Sequence, residues 1–255
     1  MNIALFASNN VGNEIAKFLA KMQERLACLV LDSEDTNGYN NDIILNCGPI
    51  CSGKIFHSDS LYKKQTLLSL KRMNLDLIIL AWWPYIIKKE IIEIPRLGCL
   101  NLHPSYLPYN RGKHYNFWTI VEDTPFGVTI HWVDEGIDTG DIAFQTIIEK
   151  TWEDTGETLY YKAQEEIINL FKESYPKIKT GDIPRKPQNT AKGTFHTADQ
   201  IDSASEIKLD KEYKAKDLLN IIRARTFPRY PAAWFLHNGC KYEVRIQITK
   251  VGSKG

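Results

Sequence analysis

Two stretches of the chain carry residue types that could do chemistry together. The first is Asn101-Leu102-His103-Pro104-Ser105-Tyr106-Leu107-Pro108, followed by Arg111-Gly112-Lys113. In an extended strand, residues two apart face the same way, so Asn101 and His103 would project together at the strand's carboxyl end. An amide can hydrogen-bond an oxygen as it becomes an oxyanion, and an imidazole can take a proton from an attacking nucleophile. That pairing suits acyl transfer. Asn-x-His alone is a weak signal, because His-Pro also marks ordinary turns. The second stretch runs Gly127-Val-Thr-Ile-His131-Trp-Val133-Asp134-Glu-Gly136-Ile-Asp138-Thr-Gly-Asp141 and puts an acidic loop after a half-buried strand. A carboxylate there can hold the His103 imidazole in position and favour its protonated form. Asp138 and Asp141 can also supply turn chemistry beside glycines; for Asp141 the two readings stand equal.

The elements that must position these residues follow from periodicity. Asn2 to Ala7, Ala27 to Leu31 and Asp76 to Ala81 are apolar runs of strand length, with Lys54 to His57 a shorter one. Helical spacing of Ile15, Phe18, Leu19 and Met22 separates the first two, and weaker or longer helices over 42–47 and 61–73 separate the others. Uninterrupted apolar strands alternating with amphipathic helices indicate a parallel sheet covered on both faces. The fold class is therefore α/β, a Rossmann-like doubly wound and mostly parallel sheet. Such sheets bind ligands at the carboxyl ends of their strands, which points to the segments after Leu80 and Leu100. Further on, strands at 98–102, 127–133 and 142–148 flank a helix over 114–122. A long amphipathic helix over 155–175 could close the domain. Residues 1–178 thus form the main domain, and polar 179–193, with Pro184 and Pro187, reads as a linker. Residues 194–255 form a small C-terminal region. It holds a helix at 215–223 and a hairpin, 233–237 and 241–248, turning at Asn238-Gly239. Alternating Tyr242, Val244, Ile246 and Ile248 would give that hairpin one apolar face.

Composition excludes several classes. Of 255 residues 43% are hydrophobic, and 32 Lys+Arg face 31 Asp+Glu, so no broad basic footprint for nucleic acid is present. The five cysteines are odd in number and none is spaced as a redox CxxC pair. The first residues lack the charged and apolar regions of a secretory leader, and no apolar run is long enough to span a membrane. A cytoplasmic, reducing location is the expectation.

The combination of Asn-Leu-His-Pro-Ser-x-Leu-Pro with Gly-Val-Thr-Ile-His and Gly-Ile-Asp-Thr-Gly-Asp resembles the folate-dependent formyltransferases. These include glycinamide ribonucleotide transformylase, methionyl-tRNA formyltransferase and the nucleotide-sugar N-formyltransferases. The likeness is detailed over 75–145 and looser before it. It implies the formyltransferase fold and a catalytic set of Asn101, His103 and Asp138, with His131 in a supporting role or none. It implies N10-formyltetrahydrofolate as co-substrate and no metal. It also implies that folate is held by Trp82, Trp83, Tyr85 and Ile86 and by Val133, Asp134 and Gly136, mainly through main-chain groups. Trp82 and Trp83 could equally be packing aromatics.

Within the superfamily, Tyr109-Asn-Arg111-Gly-Lys113-His-Tyr115 and Leu219 to Pro231 resemble the sugar enzymes, which act on dTDP-linked 3-amino or 4-amino dideoxysugars in surface polysaccharide assembly. Tyr115 stands where many of them carry proline. Arg111, Lys113, Arg223 and Arg225 are the candidates to grip a pyrophosphate, since guanidinium forks suit phosphate oxygens. Tyr109, Phe227 and Tyr230 could stack on a base. The resemblance implies a homodimer with a nucleotide-linked amino sugar and folate as partners, and neither nucleic acid nor membrane. A methionyl-tRNA formyltransferase-like enzyme and a non-catalytic folate- or nucleotide-binding protein are the alternatives.

Overall fold

A computed structural model describes residues 1–48, 50–51 and 53–252; the last three residues assigned above to the C-terminal region lie outside them. In chain order the elements are β1 (Ile3–Ala7), α1 (Asn9–Lys21), β2 (Leu26–Leu31), α2 (Asn40–Cys47), β3 (Ile55–His57), α3 (Lys64–Arg72) and β4 (Leu77–Ala81). There follow α4 (Lys89–Ile92), β5 (Gly98–His103), β6 (Arg111–Gly112), α5 (Tyr115–Val121), β7 (Gly127–Trp132), β8 (Ile142–Ile147) and α6 (Gly156–Thr180). The chain ends with β9 (Phe195–His196), α7 (Gln200–Ala204), α8 (Ala215–Ala224), β10 (Ala233–His237) and β11 (Cys240–Val244).

Seven strands form one sheet in the order β3-β2-β1-β4-β5-β7-β8. The first four pairings are parallel, as their near-continuous apolar sequences require, and β7 joins β5 antiparallel. Alternate residues of these strands, Ala4, Phe6, Cys28, Val30, Ile78, Leu80 and Cys99, pack in one buried cluster with Leu61, Leu70 and Ile91. Helix α1 buries Val11, Ile15 and Leu19, a stripe at helical spacing. Phe18 meets Phe171 and Tyr175 edge-on, at centroid distances of 6.0 and 5.3 Å. The long helix therefore does more than its sequence period suggested, running five residues past Tyr175 with Pro176 inside it.

Two compact units result. The first comprises Met1–Pro104, Val128–Thr146 and Gln164–Gln188; the second comprises Ser105–Gly127, Ile147–Ala163 and the chain from Asn189. In the second, β6 pairs with β9 in parallel and β10 with β11 antiparallel. The hairpin's second strand is shorter than its alternation implies, ending at Val244 opposite Ala233. Continuing that register would set Ile246 against Pro231, which has no N–H to donate. The Ile246 amide instead donates to Thr226 Oγ1 at 3.2 Å, so Ile246 and Ile248 do not extend an apolar strand face. Among the described residues no helix is long and apolar enough to cross a membrane. Burial pushes the thiols of Cys28, Cys47 and Cys99 up to about 12, which leaves them protonated and unfit as nucleophiles.

Candidate active site

The site is set by the β5–β7 register in the first unit. Asn101 lies opposite His131, and His103 opposite Thr129. The loop from Val133 to Asp141 then returns Asp138 to the same place. Two contacts close that loop: the Trp132 amide donates to Asp141 O at 2.8 Å, and Gly140 lies so near the Trp132 carbonyl that a Cβ there would sit 1.9 Å from its oxygen. Only glycine fits at 140. Asp138 takes a left-handed φ of 53°, which short polar residues tolerate best.

Three of the four side chains are nearly dry, with side-chain exposures of 7% for His103, 2% for His131 and 15% for Asp138. Asp138 Oδ1 lies 3.5 Å from His103 Nδ1 and 3.5 Å from His131 Nε2. Asn101 Nδ2 is 3.1 Å from His131 Nε2 and 3.5 Å from Asp138 Oδ1. His131 Nδ1 lies 2.8 Å from the Trp132 carbonyl oxygen. A carbonyl only accepts, so Nδ1 carries the proton and Nε2 of the neutral ring offers its lone pair to the Asn101 amide. His131 thus fixes which way Asn101 faces. Of the two Asn101 N–H groups, the one at 3.5 Å from Asp138 makes the weaker contact and is the one an incoming oxygen can claim. The ligand atoms of His103, His131 and Asp138 also lie within 4.8 Å of one another, a spacing a divalent ion could use.

The polar stretch read as a linker turns out to brace this loop. Trp132 Nε1 donates to Pro184 O at 2.8 Å, and the Arg185 guanidinium stacks 3.7 Å from the Trp132 ring centre. Lys186 and Ile142 exchange two main-chain hydrogen bonds of 2.8 and 3.0 Å. Gln188 Nε2 donates to Asp138 O at 3.0 Å and Gly140 O at 2.6 Å. No motif in 184–188 announces this role, because the groups it meets on the loop are mostly main chain.

The residues expected to hold folate divide by exposure. Trp83 is buried against Phe6 and Tyr85, with ring centres 5.3 and 5.5 Å away, so it is a packing aromatic. Trp82 is half-buried at a left-handed φ of 57°, and Ile86 is exposed. Tyr85 donates its hydroxyl to Asp32 Oδ1 at 2.6 Å. The Val133 amide donates to Cys99 O at 2.9 Å. Asp134 Oδ1 accepts from the Gly136 amide at 3.1 Å and the Thr139 hydroxyl at 2.7 Å, shaping its own loop.

All five expected acceptor contacts, Tyr109, Arg111, Lys113, Arg223 and Arg225, belong to the second unit. Tyr109 and Arg111 are half-buried and Lys113 is exposed. Arg111 places its guanidinium 5.9 Å from the Phe195 ring centre. Arg223 is consumed internally: it donates to Asn220 Oδ1 at 2.9 Å, Thr151 O at 2.8 Å and Asp154 O at 3.0 Å, and lies over Trp152. It is removed from the pyrophosphate candidates. Phe227 is buried between Tyr160 and Tyr230 at 5.5 and 4.7 Å, leaving Tyr230 as the exposed ring.

Comparison with known proteins places these features. The family described as formyl transferase matches residues 1–174, and the N-formyltransferase dimerization C-terminal domain matches residues 200–250. The chain is 34% identical over 194 residues to a methionyl-tRNA formyltransferase of Thermodesulfovibrio yellowstonii, covering 75% of this chain and 59% of that protein. It spans about half the length of the curated relatives it matches, between 44% and 59%. A sugar N-formyltransferase from a Shewanella species shares its fold end to end, with a TM-score of 0.83 at 20% identity over 99% of each chain. The formyltransferase PseJ of Anoxybacillus kamchatkensis, in complex with UDP-4,6-dideoxy-4-formamido-L-AltNAc and tetrahydrofolate, is 29% identical, with a TM-score of 0.60 over 80% of this chain and 89% of that one.

Proposed function

This chain belongs to the formyl transferase family, and from that premise we propose that it moves the formyl group of N10-formyltetrahydrofolate onto the amino group of a nucleotide-linked amino-dideoxysugar. The observation that carries the chemistry is the meeting of Asn101, His103 and Asp138 in one nearly dry site. The folate supplies a formyl carbon already activated for attack by an amine. Asn101 offers the N–H now in its long 3.5 Å contact to the oxygen that gains charge. As the amine's new N–C bond forms and the N10–C bond to the formyl carbon breaks, His103 and Asp138 carry the amine's proton to N10, and tetrahydrofolate leaves. Their 3.5 Å separation is the loose spacing common before substrate draws such a pair together. The metal-like spacing around Asp138 has no part in this reading.

The sugar acceptor rests on the likeness to the 29% identical PseJ, which carries a nucleotide-linked formamido sugar, and on the matched C-terminal segment, which also supports a homodimer. Methionyl-tRNA is the second reading, favoured by the 34% identity to a methionyl-tRNA formyltransferase. The test is formyl transfer followed by absorbance against dTDP- and UDP-linked 3-amino and 4-amino dideoxysugars, with methionyl-tRNA alongside. Turnover on one sugar that disappears in His103→Ala supports both the acceptor and the site. Turnover on the tRNA alone would refute the sugar acceptor and leave the folate chemistry standing.

A further inference from the structure

Arg223 and Arg225 close the same helix, α8, yet differ in their surroundings. Arg225 is its C-cap residue and only 9% exposed, but its Nε is buried with no hydrogen-bond partner among the described residues. The two carboxylates that act on it electrostatically, Asp202 and Glu243, are engaged elsewhere: Asp202 pairs with Lys241 at 3.9 Å and Glu243 with Arg245 at 3.2 Å. Its other charged neighbours are cationic. Helix α5 packs against α8, and its N-cap residue His114, held at a left-handed φ of 60°, feels both Arg225 and Lys113. Burial first, and the Arg225 charge second, push the His114 imidazole below its ordinary value. Burial likewise lowers Arg225. His114 hydrogen-bonds the Ala198 backbone.

A buried N–H without an acceptor is unfavourable, and a phosphoryl oxygen would supply the acceptor that the Arg225 Nε lacks. We propose that Arg225, with His114 near it, forms an anion site for a phosphoryl group, and that its ligand is the diphosphate of the acceptor. The second clause rests on the nucleotide-linked acceptor proposed above. The geometry selects Arg225 over Arg223, whose Nε and Nη1 are already bonded to Asn220 Oδ1 and to main-chain carbonyls. It adds His114, which sequence reasoning had passed over.

Calorimetric titration of the whole chain and of Arg225→Met with inorganic pyrophosphate, UDP and dTDP, joined to thermal melts without ligand, tests this. Losing hydrogen bonds to a charged donor is expected to weaken binding about 10- to 100-fold. The unliganded variant should melt no lower than the parent, because a buried N–H without an acceptor has been replaced by an apolar chain of similar size. A residue that merely holds the fold would show the opposite, so a clearly lower melting temperature or failure to fold overturns the proposal. Equal binding to parent and variant also overturns it while leaving the nucleotide-linked acceptor intact, and so does a parent that binds none of the three. Arg225-dependent binding of pyrophosphate with no binding of either nucleotide would keep the anion site and remove its assignment to that acceptor.

Discussion

The residues around Asp138 and those around α8 treat buried polar groups in opposite ways. In the first unit Asn101, His103, His131 and Asp138 are one another's neighbours, and His131 is in turn fixed by a backbone carbonyl. That set is organised before any substrate arrives, which is what electrostatic catalysis demands of its donors. In the second unit Arg223 is bonded through both Nε and Nη1, whereas Arg225, two residues later, has no partner for its Nε among the described residues. Two arginines at one helix end thus do different work. One is a structural clamp, and the other is a charge held ready. The lesson is that a basic residue's role is decided by what already occupies its donors, not by its position near a motif.

The comparison can be broken at its catalytic side first. His103→Ala and Asp138→Asn are expected to lower kcat about 10²- to 10⁴-fold, and Asn101→Ala about 10²- to 10³-fold, with folate binding little changed. Steady-state kinetics with separate equilibrium binding checks this, and a near-normal kcat in His103→Ala would end the catalytic reading of the site. On the structural side, Arg223→Met strips the donor from the buried Asp154 carbonyl and from the part-buried Thr151 carbonyl. It is expected to cost about 2–5 kcal/mol, read as a lowered denaturation midpoint. A midpoint like that of Arg225→Met would erase the distinction drawn between the two arginines.

Much of the site was legible in the sequence because strand periodicity exposes it. Asn101 and His103, two apart on β5, had to share a face, and the apolar runs of β1, β2 and β4 gave the parallel sheet that presents them. What could not be read was long-range register. The pairing of Asn101 with His131 depends on β7 entering antiparallel, and nothing local to either strand specifies that. Polar residues 184–188 gave a linker-like composition because their partners are main-chain carbonyls, the Ile142 backbone and the Trp132 ring, none of which a local pattern specifies. Similarly, Arg223 and Arg225 read alike as basic residues near a helix end, and only three-dimensional burial and partners separate them.

Smaller perturbations sharpen the same contrast between held and waiting groups. Gln188→Ala removes two bonds from the Asp138 loop and is expected to lower kcat about tenfold, with substrate binding within a factor of about two, through misplacement of a catalytic group. Asp154 supplies a pH-dependent counterpart in the second unit. Burial pushes its carboxyl up, but the Lys162 ammonium, the Thr151 amide and the Thr158 hydroxyl outweigh that and hold it below its ordinary value of 3.8. Its contribution is therefore fully present above that value and fades as pH falls through the depressed one. Melting temperatures taken from about pH 5 to about pH 3 should fall less steeply in Asp154→Asn than in the parent; equal slopes would mean that this carboxylate does not contribute to acid sensitivity.

The brace formed by Pro184, Arg185, Lys186 and Gln188 has a consequence for dissecting the molecule. A chain cut after Thr180 would keep the whole segment that matches the formyl transferase family, residues 1–174, together with Asn101, His103, His131 and Asp138. It would nevertheless lose the side chain that ties down the carbonyls of Asp138 and Gly140. Such a fragment could retain every residue of the proposed catalytic set and still lack the arrangement that set needs, because the loop's anchor lies downstream of the family's recognisable boundary.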